Sequence, residues 1–439
     1  MQTVTIDPLR WQAAPSRVIL AANGSKPAAR LQVTAPRDVA GMARGRPVEE
    51  LPRILAILGA AHHLVGAQAL DQLFGVEPPP PAVNMRRALL ETLFFSEHLQ
   101  KIYFLLTAWE HPFRELRQAG RGAAVSPVPG ALPDEIMHAL ALAQEGAAIL
   151  GGRSAHPLTA IAGGVSRYLK EDAYLRLADI AEQCLPAARR AADALRTALL
   201  SAGRPLAAWR EIAVPLAHAA LAPPSGDVTG GAVVVRNAGG ETRAQFAVEE
   251  IGSKISVHRE PWTHQPFAYL QADGWPGLSS GQPQGLFFVG PLARLNDGRP
   301  LSTPAAEEER QRMVAEIGPF PHYSVAAAFW ALLIEALQAA ERMADLYQKQ
   351  NLIGPSIRSV PGRMGSLGSA ALESPEGLIF HEYRVDREGI VTELKVLDTA
   401  TANNALRCLV AQRIAESGIV RHPTRQETKS RMEIGLLPF

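Results

Sequence analysis

The sequence predicts an α+β protein, predominantly helical, with a core of long packed helices and antiparallel β segments at its periphery. Three observations lead there. Apolar stretches of helical length recur between residues 48 and 202 and again between 305 and 349. Short β-branched runs bounded by Gly, Pro and Asn occupy the start, the middle and the last part of the chain. Hydrophobic residues make up 47% of the 439 residues and charged residues 20%, enough to bury a sizeable core.

Taken in order, residues 1–35 read as short strands: VTI at 4–6, RVIL at 17–20 and RLQV at 30–33, separated by the turn chemistry of NGSKP at 23–27. A helix is expected from about Val48 to Phe74, stopped by Gly75 and the prolines at 78–81. Within it LPRILAILGAAHHLVGAQALD, 51–71, is apolar almost all the way round and carries His62 and His63. Further helices are expected at about 82–109, 133–150 and 165–202, packed together. Residues 209–300 turn strand-like, with GAVVVRN, TRAQFAVEEIG, KISVHRE and GLFFVG. Helix returns at 305–318 and 323–349, a hairpin at 371–397 folds about DREG, and a helix near 402–417 follows. The expected organisation is one domain over 1–439: an N-terminal β segment (1–47), a helical core (48–208), a β-rich insertion (209–300), and helices with the C-terminal hairpin (301–439).

A net charge of +1 argues against nucleic acid or an anionic membrane as the main partner. The two cysteines, Cys184 and Cys408, form no CxxC, so neither a disulfide framework nor a cysteine-rich metal site is expected, which fits a reducing compartment. No signal peptide is evident in MQTVTIDPLRW and no run of 18 apolar residues suggests a membrane span, so a cytoplasmic location without direct membrane insertion is expected. There is no Walker A sequence and no GxGxxG; GRMGSLG at 362–368 reads as a turn. GLSSG at 277–281 formally matches a nucleophile elbow but sits in a Pro/Gly loop with no helix after it. Adjacent on a helix, His62 and His63 point about 100° apart and do not easily share a metal; one reads as a core histidine and the other as facing a groove.

Five blocks occur in one order: GRPVEELPRI (45–54), HHLVGAQALDQLFGVEPPP (62–80), GGRSAHPLTAIAGGVS (151–166), GPLARLN (290–296) and ESPEGLIFHEYRVDREGIV (373–391). In these the chain resembles the large subunit of nickel–iron hydrogenases, most of all the cytoplasmic types that work with flavin- or nucleotide-linked partners. The resemblance implies that family's fold over essentially the whole chain. It also implies four cysteine thiolates, in RxCGxC and DPCxxC motifs, which would hold nickel and iron because soft sulfur suits those metals.

Position by position the chain departs from that pattern. Where the first cysteine motif belongs, Pro52–Arg53 is followed by ILAILGAAH, with Gly59 and His62 as the residues that match. Glu433 matches the glutamate ahead of the second motif, but SRMEIGLLPF carries no DPCxxC. Gln12 stands where the resemblance places a proton-relay glutamate and Ala40 where it places a magnesium-binding one. Glu376 replaces the arginine of an ExPRG motif, a charge reversal. The expected vestigial site is therefore Gln12, Ala40, Gly59, His62, Glu376 and Glu433. The expectation is that this chain itself binds no nickel–iron group or other cofactor, has no catalytic residue, and does not turn over hydrogen alone. Whether it serves as part of an oxidoreductase stays open.

Two roles follow from the resemblance. The first is a non-catalytic structural subunit of an electron-transfer complex, with iron–sulfur clusters in a partner similar to the hydrogenase small subunit, and further flavin or iron–sulfur subunits around it. The second is an accessory scaffold in hydrogenase maturation, which would be expected to offer cysteines for transient iron; Cys408 lies outside both motif positions.

Overall fold

A computed structural model describes residues 3–12, 14–23, 26–37, 39–108, 131–200, 209–222, 231–278, 284–348, 352–417 and 425–439. The serines of GLSSG fall outside these residues. The long helices are α1 (Ala60–Leu73), α2 (Pro80–Ala108), α3 (Leu132–Gly151), α4 (Glu171–Leu200), α5 (Pro304–Ile317), α6 (Val325–Gln348), α7 (Asn404–Glu416) and α8 (Arg425–Leu436).

Helix α6 is buried on nearly every side from Val325 to Ala340, as a helix this apolar must be, with Glu335 and Gln338 as its polar residues there. It packs on α2 and α4, while α3 packs on both of those. Helix α4 shows why it sits at the edge of this group. Tyr174, Leu177, Ile180, Ala181, Cys184, Ala188, Ala191 and Leu195 recur at helical spacing and are buried, while the face between them carries arginines and acids. Alanine at many of the buried positions lets the helix axes come close without leaving voids.

The strands form separate sheets. At the N-terminus β1 (Thr3–Ile6), β2 (Ser16–Asn23) and β3 (Lys26–Val33) are antiparallel in the order β1-β2-β3. A two-residue ladder, β4 (Ala160–Ile161) with β5 (Gly164–Val165), precedes α4. At Gly164 a Cβ would lie 2.1 Å from the Ile357 carbonyl oxygen, so the close approach of that strand demands glycine. The middle of the chain forms β6 (Ala217–Ala222), β7 (Ala232–Arg236), β8 (Thr242–Ala247), β9 (Ile255–His258), β10 (Phe267–Leu270) and β11 (Phe287–Phe288). One sheet runs β11-β6-β7-β8, with β11 parallel to β6; β9 and β10 pair antiparallel. Last come β12 (Leu367–Ser374), β13 (Gly377–Val385) and β14 (Val391–Leu397), an antiparallel sheet whose first two strands lie against α1.

Two differences from the sequence reading matter for function. The helix expected over 48–74 is broken: 3-10 turns at Val48–Glu50 and Leu55–Leu58 flank a short helical turn, and the chain restarts as α1 after Gly59. Gly59 has φ +145° and ψ 155°, a conformation that side chains disfavour, so helix cannot run through it. The expected hairpin at 371–397 is three strands, because Ser374–Gly377 makes a second tight turn. Helix α8 is an element that the sequence pattern does not predict. Among the described residues no helix is long and apolar enough to cross a membrane.

Candidate functional site

The candidate site forms where α1 begins, where β12 turns into β13, and where a short helix at Thr399–Ala402 follows β14. Gly59 breaks the chain direction and sets His62 on the first turn of α1, buried against the sheet. A Cβ at Gly59 would meet His62 Cδ2 at 3.7 Å, an ordinary contact, so the backbone conformation rather than space requires the glycine.

His62 Nδ1 lies 2.9 Å from His381 Nε2, and His381 Nδ1 lies 2.7 Å from the Tyr383 hydroxyl. His381 and Tyr383 are two apart on β13, so one face of the strand carries both. All three side chains are buried. Burial pushes His62 down to about 4, against the opposing pull of Asp398 and Glu376. Burial, then His62, lowers His381 well below its ordinary value, and burial raises Tyr383 well above its own. The three are therefore neutral at pH 7. They form a chain that holds its protons in either sense: His62 donates to His381 and His381 to the tyrosine oxygen, or the tyrosine donates and both bonds reverse.

Beside this chain is a pair of carboxyl groups. Glu376, in the β12–β13 turn, accepts from Thr399 Oγ1 at 3.0 Å and from Lys101 Nζ at 3.3 Å. Lys101 holds its carboxyl below the usual range. Glu97, one turn before Lys101 on α2, is pushed up to about 8 by burial and then by the charge of Glu376. At neutral pH one carboxyl is ionised and the other keeps its proton, the arrangement a proton donor and acceptor need.

A cavity of about 730 Å³ adjoins the site, with Arg37, Ala40, Leu58, Lys395, Asp398 and Thr401 in its wall. Asp398 caps the short helix by accepting from the Thr401 backbone N–H at 2.7 Å.

Of the sequence-predicted residues, Gly59, His62 and Glu376 belong to this constellation, and Ala40 lines the cavity beside it. Gln12 and Glu433 form a second group. Arg10 donates to Glu433 from its backbone N–H at 2.8 Å and its Nε at 2.9 Å, and Gln12 donates to the Arg10 carbonyl at 3.1 Å. Trp11 stacks on Phe104 of α2, which ties this group to the helix carrying Lys101. His63 faces no groove: it is fully buried, accepts at Nε2 from the Ala160 N–H at 3.0 Å and so donates from Nδ1 to the Pro52 carbonyl at 3.1 Å. Sequence reasoning missed His381, Tyr383, Glu97 and Lys101. The His-x-Tyr pair of one strand face and the Glu97/Lys101 pair at i and i+4 were the available signals.

Among the described residues no three of His, Cys, Asp and Glu gather as a group that could hold a metal ion. Cys184 lies in α4 and Cys408 in α7, both buried, each thiol pushed up to about 12 mainly by burial. This donor set does not fit a nickel–iron group held by four thiolates.

Comparison with known proteins shows what this fold and these blocks are similar to. The chain is 27% identical to an F420-non-reducing hydrogenase iron-sulfur subunit of Archaeoglobus profundus, over 82% of this chain and 76% of that one. It is 26% identical to a vhu subunit of the F420-non-reducing hydrogenase of Methanocaldococcus jannaschii, over 92% and 96%. Identity to the NAD-reducing hydrogenase HoxS subunit beta of Cupriavidus necator is 25%, over 94% and 87%. No family model matches. Among solved structures the fold matches an NAD+-reducing [NiFe]-hydrogenase with a TM-score of 0.86 at 24% identity, covering 100% of this chain and 97% of that one. Over most of its length the chain is similar to hydrogenase subunits, and it shares the fold of a chain of an NAD+-reducing [NiFe]-hydrogenase. That finding corrects one expectation. Relatives over most of the chain's length are hydrogenases, whose large subunit carries the nickel–iron site, and this conflicts with expecting a chain that holds no such cofactor.

Proposed function

We propose that this protein is a structural, non-catalytic subunit of an electron-transfer complex, packed against an iron–sulfur protein similar to the hydrogenase small subunit. The observation that carries this reading is sequence similarity over most of the chain to proteins that are themselves named as hydrogenase subunits. A whole scaffold is retained, and the segment that should present the first pair of thiolates is filled instead by ILAILGAA, whose Leu55 and Ala56 are fully buried. The histidine–tyrosine chain and the Glu97/Glu376 pair occupy the region where Gly59 and His62 match the family's site. In this reading Gln12, Ala40, Gly59, His62, Glu376 and Glu433 mark that site, the 439 residues act as one domain, and the complex is cytoplasmic. Flavin or further iron–sulfur subunits complete it.

The maturation-scaffold reading is disfavoured by one feature. Cys408, its candidate iron ligand, is buried with its thiol pushed up to about 12, so little thiolate is available for a transient metal. Anaerobic affinity purification from the native cell separates the two. The proposal expects an iron–sulfur protein at about one copy per chain, surviving gel filtration. Recovery of the chain alone, or only with hydrogenase assembly proteins, overturns it.

A further inference from the structure

A second cavity, about 350 Å³, lies between the β6–β7 sheet face and α6. Its floor is set by the two-residue period of the strands. His218 and Ala220 of β6 stand opposite Arg236 and Val234 of β7, and all four line it. The alanine on this face leaves the space that a larger side chain would fill. Helix α6 contributes Glu335, Gln338 and Arg342, which recur at helical spacing, and the half-exposed Arg299 also lines the cavity.

His218 is what marks this cavity as more than a packing gap. It is 2% exposed, yet neither ring nitrogen has a hydrogen-bond partner. Its ring lies against Phe288 and Tyr323, with centroids at 5.9 and 6.3 Å. Burial and the nearby Arg236 push it down to about 4, so it is neutral and offers one donor and one acceptor. A buried polar group left without protein partners is uncommon and is satisfied by water or by a ligand.

The wall sets the chemistry of that occupant. Two of its arginines are spent. Arg294 is held by Glu335 and Glu373 and by two backbone carbonyls, and Arg236 by Asp297, Thr242 and the Gly240 carbonyl. Arg342 makes one contact of 3.3 Å to Glu91, and Arg299 binds Asp297 through Nε alone, so both keep donors for something else. The carboxylates of Asp297, Glu335 and Glu373 in the lining, with Glu91 beside Arg342, balance the four arginines, so what the wall offers an anion is the spare donors of Arg299 and Arg342. Most of the remaining wall is apolar, including Phe94, Ala220, Val234 and Leu301, with Gln338 and Ser302 as further polar groups.

We propose that this cavity binds a small hydroxy-carboxylic acid as its monoanion, the carboxylate facing Arg299 and Arg342 and the hydroxyl facing His218. The volume is at the lower end of the range for small-molecule sites, and the mixture of an apolar wall with a few convergent polar groups is what such sites show. The proposal does not depend on the redox-complex reading.

Calorimetric titration of the intact chain at pH 7 with a series of small hydroxy-monocarboxylates, the matching unsubstituted acids and inorganic phosphate tests it. Saturable binding of at least one hydroxy acid is expected, at least tenfold tighter than its unsubstituted counterpart, with phosphate weaker than both. His218→Leu should abolish the preference for the hydroxyl, and Arg342→Met should weaken all the carboxylates about tenfold. Arg342→Met also keeps the proposal testable if His218→Leu does not fold. No saturable binding by any carboxylate at millimolar concentration, which would leave the imidazole to water only, overturns the proposal. So does binding that neither substitution alters, or phosphate binding more tightly than the acids.

Discussion

His62 and His381, 319 residues apart in sequence, share a buried hydrogen bond of 2.9 Å between Nδ1 and Nε2, with ring centroids 5.1 Å apart. This contact joins the start of α1 to the middle of β13. Replacing His381 by Leu leaves His62 Nδ1 and the Tyr383 hydroxyl without their partner in a buried place. A loss of about 2–4 kcal/mol in unfolding free energy is expected from chemical denaturation. The double variant His62→Leu/His381→Leu should lose about 1 kcal/mol less than the two single losses summed, since the second substitution removes a group already orphaned. Strict additivity would show that the histidines do not interact.

The depressed histidines set an acid limit on stability. His62, His63 and His218 each fall from 6.5 to about 4 on folding, chiefly through burial. The unfolded chain takes up these protons as pH drops through 6.5, while the folded chain refuses them until about 4. Stability is therefore present above 6.5 and lost between 6.5 and 4, by on the order of 3 kcal/mol per histidine. The midpoint of urea unfolding, followed from pH 7.5 to 4.5, should fall steeply in that window. His63→Gln should flatten the fall even if it lowers stability at pH 7.

Glu97 has the opposite sign. Its carboxyl is raised to about 8 on folding, so between 4.5 and 8 the unfolded chain releases a proton that the folded chain keeps. Stability contributed by this group falls as pH rises through that range. Glu97→Gln should thus stabilise the protein at pH 8, by on the order of 2 kcal/mol after allowing for partial solvent access, and leave it nearly unchanged at pH 4.5. Thermal melts at the two pH values check this, and destabilisation at pH 8 would mean that ionised Glu97 is well solvated or paired.

Arg294 anchors a buried ionic network. Its guanidinium reaches Glu335 at 2.6 Å through both Nε and Nη2, and Glu373 at 2.5 Å, while His98 contacts Glu335 at 2.9 Å. Burial alone would raise Glu335, but Arg294 and His98 hold it down to about 2. Arg294→Met leaves two buried carboxylates uncompensated, and a loss of about 3–5 kcal/mol is expected at pH 7. The loss should shrink at pH 5, where Glu373, whose carboxyl burial already raises, can take a proton. Denaturation at both pH values measures the difference.

Much of this was legible in the sequence, for identifiable reasons. The apolar period of α4 and the turn residues around β1–β3 are local signals, and local signals survive without tertiary context. The break at Gly59 was not legible, because a single glycine in an apolar run costs a helix little and only the observed φ of +145° shows that the chain turns there. Helix α8 has a polar sequence, RQETKSRMEIGL, and no apolar stripe to announce it. At the site, His62 and Glu376 were found through blocks of matching sequence. Their partners His381 and Lys101 were not, since nothing local says which distant strand or helix will face them.

The central claim is that this chain is a structural partner of an iron–sulfur subunit in an electron-transfer complex. The most direct measurement is the subunit stoichiometry of the anaerobically purified native complex, by native mass spectrometry, with hydrogen turnover assayed on the same sample. The account predicts one iron–sulfur subunit per chain and no hydrogen turnover that disappears when His62 or Glu376 is replaced. A lone chain, or hydrogen turnover lost on replacing those residues, would contradict it.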